Sequence, residues 1–370
     1  MRPVTRTVAM SLAATSLLVA STAAATSANA ATGIAKAART KAKAVTRLTP
    51  VEAASTSEWI RSAQLPSGAI ATFPDQQHVR PNISNLAAQG LADHARRTGD
   101  VASLTAAWAE LRWYAGAEDA DGVVTDYDAA ADGTMVSSGD EDSTSAYAGT
   151  FLTAVEAAYK ATPEKQRAAR LAEVAPGIDG ALRAIAAVTR PDGLAYAKPS
   201  WHVVYLMRQA ETEAGLDSSA RLLKLLGRPA DGKASARAAQ RMVAAVDTLW
   251  NPATGSYDWA VHESGYRQST DWGNLYPDGI ANIWAVAYGL VPEHRAKTLM
   301  DTVSAKFPDL DDASARGYWP EAVNAYRMVQ DRTDAATVLG GITAQATATS
   351  RAWPFTTETA GVTLTLSLAE

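Results

Sequence analysis

The chain has no cysteine in its 370 residues, which excludes a disulfide scaffold, a thiolate metal site and a cysteine nucleophile together. Stability must come from burial, and a chain of this length can bury a sizeable core. Phenylalanine is scarce, with 4 residues against 10 Trp and 12 Tyr. Trp and Tyr each join a flat apolar face to a polar handle, so this excess favours half-wet surfaces such as a binding cleft, although any single Trp serves equally as core filler. Past the N-terminus no apolar run reaches the roughly 18 residues of a membrane span, since the run from Ile280 to Val291 is shorter and broken by Asn282. None of the five histidines, among them His78, His94, His262 and His294, stands in H-E-x-x-H spacing, and there is neither a glycine-rich phosphate loop nor a G-x-S-x-G elbow. No metal or cofactor is expected.

Arg2 and Arg6 precede an uncharged stretch from Thr7 to Ala30, apolar at its centre and closing on Ala28-Asn29-Ala30. That is the pattern of a secretory signal peptide over residues 1–30, with Ala31 as the mature N-terminus and an extracellular destination. Residues 31–54 are rich in Ala, Thr and Lys and hold five basic groups against the single acid Glu52. Having little bulky apolar content, they are expected to form a flexible or loosely helical basic leader. The body, residues 55–370, then carries 27 basic against 38 acidic groups, a formal charge of −11. Such a body repels polyanions, so nucleic acid is not expected as a partner.

From Ser55 onward apolar stripes recur at helical spacing between turns containing Gly, Asp and Pro, with no run of alternating strand residues. The spacing predicts helices over 55–64, 82–98, 101–116, 143–160, 164–189, 200–215, 218–227, 233–250, 277–290, 292–306, 319–330, 333–347 and 357–369. Long connections centred on Gly68, Gly122, Gly193, Gly255 and Gly317 follow one another at steps of 54, 71, 62 and 62 residues, and a shorter one lies around Trp353. Each step holds about two helices and a loop, which means a supersecondary unit stacked on copies of itself. Short links such as that at Gly99 alternate with the long ones, placing every long loop at one end of the stack, where binding and catalysis reside.

This alternation resembles the (α/α)6 toroid of six-hairpin glycosidase-like proteins. The resemblance covers roughly residues 55–370 and is carried by DEDSTSAYAGTFLTAVEAAY, PDGLAYAKPSWHVVYLMRQAETEAGL, DWGNLYPDGIANIWAVAYGL and WPFTTETAGVTLTLSLA, which set polar or aromatic residues at the mouths of inner helices. It implies an all-α catalytic domain of six helical hairpins, acting on a carbohydrate; a monomer is expected.

Glycosidic bonds need one carboxylic acid to protonate the leaving oxygen and a second carboxylate to activate water or attack the anomeric carbon. Asp140, Glu141 and Asp142 cluster before a helix start, where mutual repulsion raises one pKa, although Asp142 is equally suited to cap that helix. Asp271 and Asp278 bracket WGNLYP with Trp272 and Tyr276 beside them, as in a sugar subsite, with Asp278-Gly279 also readable as a turn. The expected reacting pair is Asp142 and Asp271. Asp140, Trp201, His202, Tyr205, Trp272, Tyr276, Asp278 and Trp319 are expected to bind substrate. Glu321 and Glu358 stand in helix first turns, where dipole stabilisation is the ordinary explanation. A His202 and Tyr205 pair leaves a polysaccharide lyase open as the alternative, and a binding toroid without turnover as a third.

Overall fold

The computed structural model describes residues 46–367. The expected signal peptide and residues 31–45 of the leader lie outside them. Among the described residues, twelve principal helices pair into six hairpins. The first member of each pair is outer: α1 (Pro50–Ser62), α3 (Val101–Ala117), α5 (Glu164–Val188), α7 (Pro229–Val246), α9 (Glu293–Lys306) and α12 (Arg332–Ala348). The inner members are α2 (Pro81–Thr98), α4 (Thr144–Ala161), α6 (Leu206–Leu225), α8 (Ile280–Ala287), α11 (Glu321–Met328) and α13 (Thr357–Leu366), while the single turn α10 (Ala313–Arg316) lies in a loop. Each inner helix packs on the next, and α13 packs back on α2, which closes an (α/α)6 ring.

Burial separates the two layers. In α2 and in α4, 14 of 18 residues are buried, against six of 18 in α7. A helix covered on nearly all sides belongs inside, and one with a single apolar stripe belongs on the wall. Small residues allow the inner helices to touch backbone to backbone. A methyl added at Gly149 on α4 would sit 2.8 Å from the Glu211 carbonyl carbon of α6, and Gly90 on α2 meets Gly361 on α13 in the same way. Ring closure therefore rests on positions where no side chain fits.

Several boundaries differ from the sequence-based expectation. Helix α1 starts at Pro50, inside the stretch read as an unpacked leader. Thr49 and Glu52 form a reciprocal capping box (2.7 and 3.2 Å), and Pro50 supplies a first residue already set for the helix. The expected helices 200–215 and 218–227 are one helix, α6, which begins only at Leu206. Helix α8, expected over 277–290, spans only eight residues and is entered through a π turn at Leu275–Gly279. Strands were not expected, yet the long loops carry eight: β1 (His78–Val79), β2 (Tyr127–Ala129), β3 (Met135–Ser137), β4 (Val203–Tyr205), β5 (Trp250–Asn251), β6 (Ser256–Tyr257), β7 (Ala260–His262) and β8 (Arg267–Gln268). They form the antiparallel sets β1-β2-β3, β4-β7-β8 and β5-β6. At two or three residues apiece they are too short to show a period-2 pattern.

All five loop glycines from Gly68 to Gly317 take positive φ, and each lies in a connection from an outer to an inner helix. At Gly122 (φ +85°) the loop also runs against the backbone of Gly180 on α5, so both conformation and space demand glycine there. The long loops thus share the rim where the inner helices begin, and the short links share the opposite rim.

Candidate active site

Six inner-helix N-termini converge beneath the long loops. At the second, Ser143 and not Asp142 is the N-cap, accepting the Ala146 N–H at 3.3 Å. Asp142 is thereby free of capping duty. Its carboxylate pairs with the Arg208 guanidinium of α6, and its own N–H donates to the Tyr147 hydroxyl at 3.2 Å. Arg208 also binds Glu211 one turn further along α6, at 2.9 Å. The Tyr147 hydroxyl donates to Asp126 at 2.6 Å, and Asp126 faces Arg80 at 3.6 Å. Arg80 immediately precedes α2, so four elements feed this one network.

Glu321 and Glu358 complete the pit. Glu321 is the first residue of α11. Glu358 is the second of α13, whose N-cap Thr356 accepts the Thr359 N–H at 3.2 Å. The charges of Glu211, Arg208, Arg80 and Asp142 all act on Glu358, and those of Glu358 and Glu211 act on Glu321. A small cavity of about 60 Å³ is lined by both glutamates together with Trp284, Tyr318 and Trp319. Buried oxygens of Glu211 (Oε1), Ser145 and Thr72 find no partner among the described residues, although buried polar atoms are ordinarily paired. Thr72 adjoins this end of α13 through its carbonyl, which accepts the Thr357 N–H at 3.0 Å. The Trp284 indole N–H lies close enough to Glu321 to favour its charged form without meeting hydrogen-bond geometry.

The electrostatics divide these carboxyls. The Arg208 guanidinium, outweighing burial, holds Asp142 below the usual carboxylate range. Burial pushes Glu358 up to about 7, helped by the charge on Glu211. Burial likewise takes Glu321 up to about 8, helped by Glu358. Glu211 is raised by burial against the pull of Arg208. The pit therefore holds one carboxylate kept ionised and others that bind a proton near neutral pH, the separation that acid and base roles require.

An aromatic wall rises from this floor. The Tyr276 ring stacks on Trp319 (centroids 5.6 Å, interplanar angle 16°), and Arg208, Asp142, Arg80 and Tyr205 all act on the Tyr276 hydroxyl. Trp201 is 50% exposed and donates its indole N–H to Tyr205 at 3.0 Å, while Tyr205 stacks on Trp259.

Of the residues expected from sequence, Asp142, Tyr205, Tyr276 and Trp319 meet at this pit, with Trp201 at its rim. Asp271 is the main departure. Its carboxylate closes its own turn, accepting the Gly273 N–H at 2.8 Å, and its N–H donates to Asp278 at 2.8 Å. Asp278 is buried and held by that bond, so WGNLYP is bracketed by two turn-forming carboxylates. Trp272 is half-buried against the core. Asp140 ties loops together through Lys198, which also donates to the Glu141 carbonyl at 2.8 Å. His202 and Trp201 precede α6 in the β4 loop and do not stand at its start. His202 pairs with Glu263 at 3.0 Å, contacts the Pro199 carbonyl at 2.9 Å and stacks on Tyr196; the bond to Glu263 raises its pKa. Arg80, Asp126, Tyr147, Arg208 and Glu211 were not expected from sequence. Arg208 and Glu211 sit inside a helix at i, i+3, a spacing that reads as an ordinary exposed pair. Among the described residues, no group of three or more His, Asp or Glu is placed to hold a metal ion, and no helix is long and apolar enough to cross a membrane.

No family model and no curated protein matches the chain. Solved structures do. An uncharacterized protein from Thermus thermophilus superposes with a TM-score of 0.61 at 12% identity, over 85% of this chain and 99% of that one. A GH63 mannosylglycerate hydrolase from the same organism, in complex with glucose, gives 0.59 at 13% identity over 85% and 99%. A rhamnosidase from Klebsiella oxytoca with rhamnose bound gives 0.53 at 14% over 82% and 55%. The chain shares the toroidal fold of these proteins.

Proposed function

We propose that the protein is a glycoside hydrolase in which Asp142 and Glu358 are the reacting carboxyls. The observation that carries this reading is the opposed protonation of two carboxyls in one pit. Arg208 keeps Asp142 ionised, and burial leaves Glu358 holding a proton near neutral pH. Glycosidic cleavage needs that division, a proton for the leaving oxygen and a carboxylate to activate water or meet the developing positive charge. Glu358 is the acid in this scheme and Asp142 the base or nucleophile. The stacked Tyr276 and Trp319 offer the flat face on which a pyranose ring packs. Superposition on two enzymes whose structures hold glucose and rhamnose supports a sugar as ligand.

The bonds already made by His202 and Tyr205 favour hydrolysis over the lyase alternative. His202 spends both ring nitrogens on Glu263 and the Pro199 carbonyl, so the pair lacks the free imidazole needed to relay a proton to or from a sugar. The substrate we propose is a neutral oligosaccharide or polysaccharide, met outside the cell after removal of residues 1–30. N-terminal sequencing of secreted protein should begin at Ala31, and a sequence starting at Met1 would reject export by that route.

Asp142→Asn and Glu358→Gln should each fold normally and lower turnover by about 10³ or more, as expected when a group acts directly in the transition state. Azide should rescue Asp142→Ala, and a substrate with an activated leaving group should spare Glu358→Gln. The reverse pattern would exchange the two roles. Near-normal turnover in both variants would end the assignment, and calorimetric sugar binding without reducing-sugar release would identify a binding protein.

A further inference from the structure

The ring also has a second mouth. Below the pit, a cavity of about 180 Å³ runs along its axis, reaching Glu211 and Glu321 at the top. Each inner helix gives this lumen a half-exposed side chain or its immediate C-cap: Gln89 from α2, Thr153 from α4, Ala214 from α6, Tyr288 after α8, Asn324 from α11 and Thr365 from α13. Half-exposed residues on helices otherwise buried mark a channel and not a packed core. Gln89, Thr153, Ala214 and Tyr288 also line a second cavity of about 350 Å³ at the short-link rim. The two spaces thus adjoin, with these four side chains standing between them. The rear opening is framed by ion pairs, Lys160 with Glu156 at 2.7 Å, Arg221 with Glu156 and Asp217, and Arg96 with Asp93 at 3.6 Å, with Glu213 beside them. Thr365 donates to Asp93 at 3.1 Å, joining the lumen wall to that frame.

We infer that this lumen is a rear solvent entrance, carrying water from the short-link rim to Glu211 and Glu321 behind the sugar pit. Its volume accommodates several waters at about 30 Å³ each, and on a wall otherwise largely apolar Gln89, Thr153, Asn324, Thr365, Glu211 and Glu321 supply the polar partners that such waters need. Glu321 borders both the lumen and the small front cavity with Glu358. A ligand filling the front mouth would leave these carboxyls in contact with bulk water from behind, so protons and water exchange without its release. The inference concerns access alone and does not depend on which carboxyls react.

The absence of native cysteine makes a single-cysteine experiment clean. Ala214→Cys in the full chain is treated with 2-aminoethyl methanethiosulfonate, whose sulfenyl sulfur the thiolate attacks, expelling methanesulfinate; intact mass reports the rate. Ala107→Cys, fully buried in α3, is the closed control. Ala214→Cys should react at least about 100-fold faster than the control, which needs local unfolding to react. Adding Glu213→Trp at the rear opening should slow that reaction about 10-fold or more, as a blocked route leaves only openings of the fold. Reaction at the control rate would overturn the inference, as would a rate indifferent to Glu213→Trp, which would mean entry from the front. Thr153→Cys, on the neighbouring inner helix α4, repeats the measurement should Ala214→Cys not fold, and the same two outcomes decide it.

Discussion

Replacing Arg208 by methionine separates the electrostatic account of the pit from a purely steric one. Methionine keeps much of the length and apolar stem of arginine and removes the charge. Arg208 serves two carboxyls, and their losses differ. Glu211 is fully buried, but burial already biases it toward the neutral form, so it takes a proton when the guanidinium leaves. Asp142 has a side chain 43% exposed, so solvent screens part of its loss. A buried pair broken on one side costs about 3 to 5 kcal/mol. With those two reliefs the expected destabilisation is about 2 to 3 kcal/mol, a fall in Tm of roughly 3 to 5 °C for a domain of this size. Because Asp142 is depressed in the folded state, the stability it contributes is present at neutral pH and lost as the pH falls through its folded pKa. Without Arg208, burial is left to push that pKa up, so the acid limb of the kcat/KM profile should move to higher pH, with Arg208→Lys intermediate. The alkaline limb should lie near pH 7 in the parent, where Glu358 loses its proton. Calorimetry and a pH-rate profile on an oligosaccharide read both effects. A folded Arg208→Met protein with an unmoved acid limb would refute the claim that Arg208 sets the charge of Asp142.

Glu110 is fully buried and accepts the Ile70 N–H at 2.6 Å, and burial raises its pKa to about 8. Its neutral form is the one the fold accommodates, so its contribution is complete below about pH 4.5 and lost as pH rises through about 8. The fall in Tm from this group should accrue between about pH 4.5 and 8 and level off above, and Glu110→Gln, which cannot ionise, should flatten it; an unchanged slope would remove Glu110 as a cause. Gly149→Ala should destabilise by about 1 to 3 kcal/mol, because the added methyl overlaps the α6 backbone. By contrast, Gly116→Ala in α3 meets open space and should stabilise by about 0.5 to 1 kcal/mol. Thermal melts of the two variants moving in the same direction would contradict the close α4 to α6 contact.

The hairpin plan was legible because it repeats. Apolar periodicity marks helices whatever their neighbours, and glycines at steps of 54 to 71 residues mark loops that need positive φ. Short features escaped for the same reason. Strands of two or three residues have no period, and the continuity of α6 across residues 216–217 was hidden by Gly215 and Asp217, which read as a break. In the structure Gly215 lies against Gly149, so that glycine serves inter-helix approach and not a turn.

Of the residues that line the pit, Asp142, Tyr276 and Trp319 were singled out from sequence, because polar and aromatic residues at helix mouths stand out in a chain built of alanine-rich stripes. The sequence did not single out the partner proposed here for Asp142. Asp271 and Glu358 are both acids beside a helix start, and what separates them is whom they meet. Asp271 spends its carboxylate on the Gly273 N–H two residues away. Glu358, placed in a first turn like any dipole-stabilising acid, is carried by ring closure to within the influence of Arg80, Asp142, Arg208 and Glu211, residues 147 to 278 positions distant. The order of helices and the rim that bears the loops follow from local periodicity and spacing, which each segment encodes for itself. The protonation of a carboxyl depends on desolvation and on charges brought from other helices, and these exist only once the ring has closed.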